Sequence, residues 1–229
     1  MSPNTKAYAR ATIRLDDRRE RESAVARMNN DQVSASAGAR DASVQNGGIL
    51  DFYATHPDDV CRLLAVEEFP GNVWEPACGT GEVAEVLRTQ RKTRVLRCSD
   101  VLDRGYEGHE ATVDFLDQAS KSSVWGRQRV DHVVTNPPFR AGLAEAFLHR
   151  ALEVANEKVA LLVRLAWLEG DARRRTVFEA TPLKRVLVFS RRPRFRPAGG
   201  DRFESGLIAF CWLVWEHGHE GPPTVGWLP

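Results

Sequence analysis

From Gly48 onward the chain alternates short apolar runs with stretches whose apolar residues recur at helical spacing, and few architectures satisfy that alternation. The runs Val95 to Cys98, Val130 to Thr135, Val159 to Val163, Val186 to Phe189 and Leu207 to Trp215 are mostly apolar through their length. Strands of that kind are buried on both faces, which requires a largely parallel sheet covered by helices. The helical stretches between them open near Thr55-His56-Pro57, with Thr55 as cap and Pro57 in the first turn, and recur at Glu82 to Gln90 and Leu143 to Ala155. A basic helix follows around Arg173-Arg174-Arg175, and the last two apolar runs read as an antiparallel pair. The expected class is α/β: a mostly parallel sheet with helices on both faces and a C-terminal antiparallel strand pair.

Length and composition narrow the rest. At 229 residues the chain holds one such domain plus a tail. Residues 1–48 read as that tail, a flexible or partly helical arm (Arg10 to Arg27) and a small-residue linker (Ser34 to Gly48); residues 49–229 read as the domain. Cys61, Cys78, Cys98 and Cys211 lack metal-ligand spacing and sit in apolar or Gly-rich surroundings, so they read as buried thiols in a reducing compartment, with no disulfide and no zinc. No secretory leader or membrane-length apolar run is visible, and the expectation is a cytoplasmic protein. The net charge of +1 leaves a nucleic-acid partner open, because phosphate binding depends on local basic surface.

The run Asp131 to Thr135 ends in Asn136-Pro137-Pro138-Phe139. Two consecutive prolines fix φ, donate no amide proton and hold the preceding residue extended, so the backbone leaves the sheet abruptly. The Asn136 carboxamide and the Pro137 carbonyl can then converge beside an aromatic ring. Two acceptors and a flat ring suit a planar group bearing an NH₂.

A second motif precedes it. Val73-Trp74 leads into Glu75-Pro76-Ala77-Cys78-Gly79-Thr80-Gly81 and a helical stretch, and Asp100 closes the next run, where a carboxylate can take both hydroxyls of a ribose. Gly79, Gly81 and Ala84 formally satisfy the dinucleotide pattern, but a Glu-Pro corner stands where that fingerprint runs straight into its first glycine. Taken together, Glu75 to Gly81, Asp114-Phe115-Leu116, Asn136 to Phe139 and the earlier Phe52-Tyr53-Ala54-Thr55 resemble the class I S-adenosylmethionine-dependent methyltransferases. Within that group they resemble the amino-methylating, adenine-specific DNA methyltransferases, in a gamma-like motif order. The resemblance covers roughly residues 50–215 and implies a Rossmann-like sheet of seven strands.

It also implies roles. S-adenosyl-L-methionine would be the cofactor, lying against Gly79 and Gly81 in a loop that includes Pro76 and Ala77, with Glu75 near its amino group and Thr55 holding its carboxylate. Asp100 would take the ribose hydroxyls, Asp114 the adenine amino group, and Phe115 the adenine ring. Asn136, Pro137, Pro138 and Phe139 would be catalytic. The chemistry follows from the residues: acceptors on both protons of an adenine amino group draw its nitrogen toward tetrahedral geometry and localise its lone pair for attack on a methyl group. No metal or strong base is required. Such a base must leave the duplex, and Phe139 would stack on it.

Between the last two runs, Ser190 to Phe203 carries five arginines, two phenylalanines and one aspartate. Read as a loop, it suits phosphate contact through Arg191, Arg192, Arg194 and Arg196, with Phe195 as a second wall of the base pocket. Two features depart from the family. Thr55-His56-Pro57 replaces its usual Thr-Pro, and only the tail Glu216 to Pro229 follows the last expected strand, where a target-recognition domain is common. Similar tetrads serve methyltransferases of ribosomal-RNA guanine and of release-factor glutamine, which are alternatives, as is a catalytically idle nucleic-acid-binding module.

Overall fold

The computed structural model describes residues 52–117, 129–140 and 142–229. The arm, the linker and residues 118–128 lie outside the described residues. The main sheet has eight strands in the order β11-β7-β10-β6-β5-β2-β3-β4. These are β2 (Gly71–Glu75), β3 (Thr93–Asp100), β4 (Ala111–Thr112), β5 (Val130–Thr135), β6 (Ala155–Arg164), β7 (Leu183–Phe189), β10 (Phe210–Glu216) and β11 (Thr224–Leu228). Every neighbouring pair is parallel except those of β10, which runs antiparallel between β6 and β7. The mostly parallel α/β sheet with its antiparallel C-terminal pair is therefore present.

Alternation along the strands divides the core into two layers. In β10, Trp212 and Val214 enter one cluster while Cys211, Leu213 and Trp215 enter the other; in β6, Ala160 and Leu162 oppose Val159, Leu161 and Val163. Side chains of successive strand residues point to opposite faces, so a run apolar throughout needs cover on both. Helices α1 (Pro57–Leu64) and α2 (Glu82–Arg88) contribute Val60, Leu63, Val83, Ala84 and Leu87 to the first cluster. Helix α3 (Leu143–Val154) contributes Phe147, Leu148, Ala151 and Val154 to the second. A short helix α4 (Asp171–Arg173) passes into a π-helical turn (Arg174–Phe178) that buries Val177.

Several expectations are corrected. The sheet has eight strands rather than seven because residues 224–228, expected to be tail, add β11 parallel to β7. The segment 190–203 is not a simple loop: β8 (Arg194–Pro197) pairs antiparallel with β1 (Tyr53–Thr55) and with β9 (Glu204–Ser205) in a second, three-stranded sheet. Thr55 is thus a strand residue opposite Phe195, and the α1 cap passes to His56, extended at φ −60° and ψ 135°, whose Nδ1 accepts from the Asp58 amide at 3.1 Å. The run at 111–116 keeps only two strand residues, because the Asp114 carboxylate accepts from the Leu116 amide and closes a turn. Strand β10 begins at Phe210, leaving Leu207 and Ile208 outside the sheet and exposed. Cys61 is exposed on α1, whereas Cys78, Cys98 and Cys211 are buried; all four thiols are free. No helix among the described residues is long and apolar enough to cross a membrane.

Candidate functional site

The order in which successive strands are added reverses at β2: β3 and β4 lie on one side of it, β5 and β6 on the other, all of them parallel to it or to one another. Loops at the carboxyl ends of strands diverge at such a switch point and leave a crevice, which is where open α/β sheets bind ligands. The two motifs read from sequence occupy it from opposite sides. Residues 76–81 leave β2, and Asn136 to Phe139 leave β5.

The Asn136 side chain is held by elements about eighty residues away. Its Nδ2 donates to the Tyr53 carbonyl at 2.9 Å and to Thr55 Oγ1 at 3.0 Å, both on β1. A backbone carbonyl can only accept, so this pair fixes which end of the carboxamide faces β1. Oδ1 faces the other way, and it is buried with no hydrogen-bond partner in the structure. Such an orphan acceptor costs roughly 1–3 kcal/mol, so a donor arriving there recovers that penalty. Beside it, the Phe139 ring lies 5.9 Å from Tyr53, 5.3 Å from Phe210 and 6.1 Å from Phe195, centroid to centroid. The Arg164 guanidinium stands 5.4 Å from the Phe139 centroid. Phe195, expected to form a wall, is brought to the tetrad because β8 pairs with β1. Pro137 is buried and Pro138 half-buried.

Across the crevice, Glu75 ends β2 with 1% of its surface exposed, and its Oε2 has no partner. Burial, and after it the charges of Asp100 and Glu82, push its carboxyl well above the usual carboxylate range, against an opposing hydrogen bond from the Ala84 backbone. Asp100 accepts from the Gly79 amide at 2.8 Å and from the Leu102 amide at 3.1 Å. Its carboxylate therefore braces the loop that follows β2. Gly79 and Gly81 have φ of +56° and +93°. Aromatic rings close over both: a Cβ at Gly79 would meet Phe52 at 2.2 Å, and one at Gly81 would meet Tyr106 at 2.3 Å. Tyr106 is anchored by donating its hydroxyl to Glu85 at 2.6 Å. Pro76 is buried and Ala77 half-buried in the same turn.

Compared with known proteins, the chain matches no family model and no curated protein. Its fold is similar to several solved structures. A modification subunit of a proposed type I restriction enzyme from Vibrio vulnificus YJ016 aligns with a TM-score of 0.49 and 17% identity, over 86% of this chain and 50% of that one. TrmN from Thermus thermophilus aligns at 0.44 and 18% identity, over 70% and 48%. A SAM-dependent O-methyltransferase from Thermotoga maritima aligns at 0.45 and 12% identity, over 78% and 72%. The chain spans about half the length of the first two.

Other expected site residues have contacts within the fold. Phe115 is 3% exposed, and its ring packs in the second core cluster, 5.1 Å from both Trp74 and Phe147. One carboxylate oxygen of Asp114 accepts from the Leu116 amide at 2.8 Å within its own turn. Arg194 Nη2 pairs with Asp58 at 2.7 Å while its backbone amide donates to the buried Asp59, also at 2.7 Å. Arg196 reaches across to Glu82 and to Thr80 Oγ1. These two arginines tie the small sheet to α1 and α2, whereas Arg191 and Arg192 are exposed. Sequence reasoning missed Tyr53, Arg164, Tyr106 and the orienting role of Thr55. Each acts through a contact between segments far apart in the chain, for which no local pattern exists. No cluster of metal-ligand type occurs among the described residues.

Proposed function

We propose that this chain transfers a methyl group from S-adenosyl-L-methionine to the exocyclic amino group of adenine in DNA, the target base being flipped out of the helix. The observation that carries the reading is the buried, unpartnered Oδ1 of Asn136, locked in orientation by Tyr53 and Thr55 beside the Phe139 ring. An acceptor that nothing in the fold satisfies is shaped for an N–H donor, and a ring at its side suits a planar heterocycle. Asn136 Oδ1 accepts a hydrogen bond from one amino N–H and the Pro137 carbonyl from the other, which localises the nitrogen lone pair for attack on the methyl group; the sulfur leaves with the sulfonium bond's electron pair and the methylated nitrogen then loses one proton to water, while Phe139 stacks on the base and Phe195 bounds it.

The residues across the crevice fit the cofactor. A buried Glu75 with an orphan oxygen suits an ammonium group, which would restore its charged form. Positive-φ glycines permit close approach of a ligand to backbone, and Asp100 holds that loop in place. When bound, the cofactor supplies the electrophilic methyl group. Thr55 positions Asn136 in this reading and is not assigned to the cofactor carboxylate.

The test is transfer of labelled methyl to unmethylated DNA, beside ribosomal RNA and a release factor, with nucleoside mass spectrometry and the Asn136→Ala variant. Methylated adenine that disappears in the variant is the expected result; label only in RNA or protein moves the tetrad to another amino group. A second reading, a catalytically idle binding module, is favoured by the Phe52 and Tyr106 rings lying against the two glycines. Calorimetric titration with the cofactor decides between them, since an idle module shows no heat of binding.

A further inference from the structure

The edge of the main sheet that carries Asn136 presents a further feature. Strand β10 runs antiparallel between β6 and β7, so the residues before Phe210 emerge where β6 and β7 end. Neighbours along that edge are thus Arg191 and Arg192 after β7, Leu207 and Ile208 before β10, Arg164 at the end of β6, and the tetrad after β5. The Leu165 amide donates to the Ala209 carbonyl at 2.7 Å, pinning the base of the 206–209 turn to β6. Phe210 packs on Phe139, and three residues of chain span about 10 Å, so Leu207 lies within that reach of the Phe210 backbone.

Leu207 is 95% exposed and Ile208 48%. A lone exposed leucine needs no explanation. This one is set apart by an apolar neighbour, by Gly206 before it, and by the cations on either side. Among the described residues, Arg194, Arg196 and Arg202 have carboxylate partners, but no carboxylate pairs with Arg164, Arg191 or Arg192. The pattern is an apolar tip between unneutralised guanidinium groups, within about 10 Å of the Phe210 backbone, whose ring packs on Phe139.

We infer that Leu207, supported by Ile208, is a wedge that enters the stack of double-stranded DNA where the target base leaves it, with Arg164, Arg191 and Arg192 on the flanking phosphates. This rests on the DNA reading above and deepens it by assigning the duplex as substrate. An apolar side chain in the vacated space replaces lost stacking, and cations on the phosphates hold the duplex in register.

The test compares kcat/KM on a fully paired duplex and on the same target strand alone, for wild type, Leu207→Ala and Leu207→Met. Because the side chain is exposed, neither variant disturbs the fold. Leu207→Ala is expected to lower the duplex-to-single-strand ratio about tenfold, with Leu207→Met retaining most of it. With 2-aminopurine at the target position, the fluorescence rise on duplex binding is expected to shrink in Leu207→Ala. An unchanged ratio and unchanged fluorescence overturn the wedge. A wild type that methylates only single strands overturns it too, and leaves the adenine chemistry standing. A wild type that methylates no DNA overturns the underlying reading and the wedge with it.

Discussion

Replacing Asn136 by alanine separates a catalytic acceptor from a structural one. The substitution removes two hydrogen bonds, from Nδ2 to the Tyr53 carbonyl and to Thr55 Oγ1, each worth about 1 kcal/mol net. It also removes the orphan Oδ1, which returns roughly 1–3 kcal/mol. The two nearly cancel, so stability is expected to stay within about 1 kcal/mol of wild type, a change in Tm of roughly 2–4 °C for a domain of this size. Activity does not share that cancellation. Loss of a preorganised polar group aimed at the reacting atom costs about 10²–10³ in kcat in comparable sites. Asn136→Asp is expected to fare poorly as well, because a carboxylate has no proton to offer the Tyr53 carbonyl. The assay is methyl transfer under saturating cofactor, with thermal unfolding on the same preparations. Methyl transfer within threefold of wild type in Asn136→Ala refutes the mechanism. A fall in Tm far beyond that range, with activity lost in proportion, makes Asn136 a structural residue instead.

Three further outcomes follow from the same geometry. Burial raises the Glu75 carboxyl well above the usual carboxylate range and an incoming ammonium group would draw it back down, so cofactor binding should release protons; calorimetry in two buffers of different ionisation enthalpy reads this, and equal heats would sink it. Gly81→Ala places a Cβ against Tyr106 at φ +93°, costing about 1–2 kcal/mol in backbone conformation besides the clash; adding Tyr106→Ala should recover the clash alone, and full recovery of Tm would contradict the φ argument. His132, fully buried, is held below the usual histidine range chiefly by that burial, so it binds its proton more readily when unfolded. Its contribution to stability is complete above about pH 6.5 and falls as pH drops below it, by up to about 1.4 kcal/mol per pH unit. Urea unfolding between pH 7 and 5 should show a positive slope that His132→Gln reduces.

Much of the fold was legible because its signals are local. Runs apolar throughout, separated by helical spacing, specify a two-faced parallel sheet, and strands β3, β5, β6 and β7 form near the positions those runs mark. Paired prolines end β5 where they must, and glycines mark the turn after β2. What local pattern could not carry was partnership. Arg194 and Arg196 read as phosphate contacts because an arginine-rich stretch says nothing of the carboxylates that will meet it; Asp58 and Glu82 lie more than a hundred residues earlier. Phe115 read as a ligand contact, yet packing turns its ring toward Trp74 and Phe147. Residues 224–228 became an edge strand because β7 offered an open edge, a property of the sheet and not of the segment.

By itself the sequence determined the alternation of elements, the sharp exits after β2 and β5, and the chemical types of the groups at those exits, since backbone restriction and burial preference belong to individual residues. Tertiary structure alone decided which end of the Asn136 carboxamide is free and which arginines are spent on ion pairs. Those outcomes depend on hydrogen-bond and charge partners brought together by the pairing of β1 with β8 and by the closing of the sheet, across separations that no local spacing encodes.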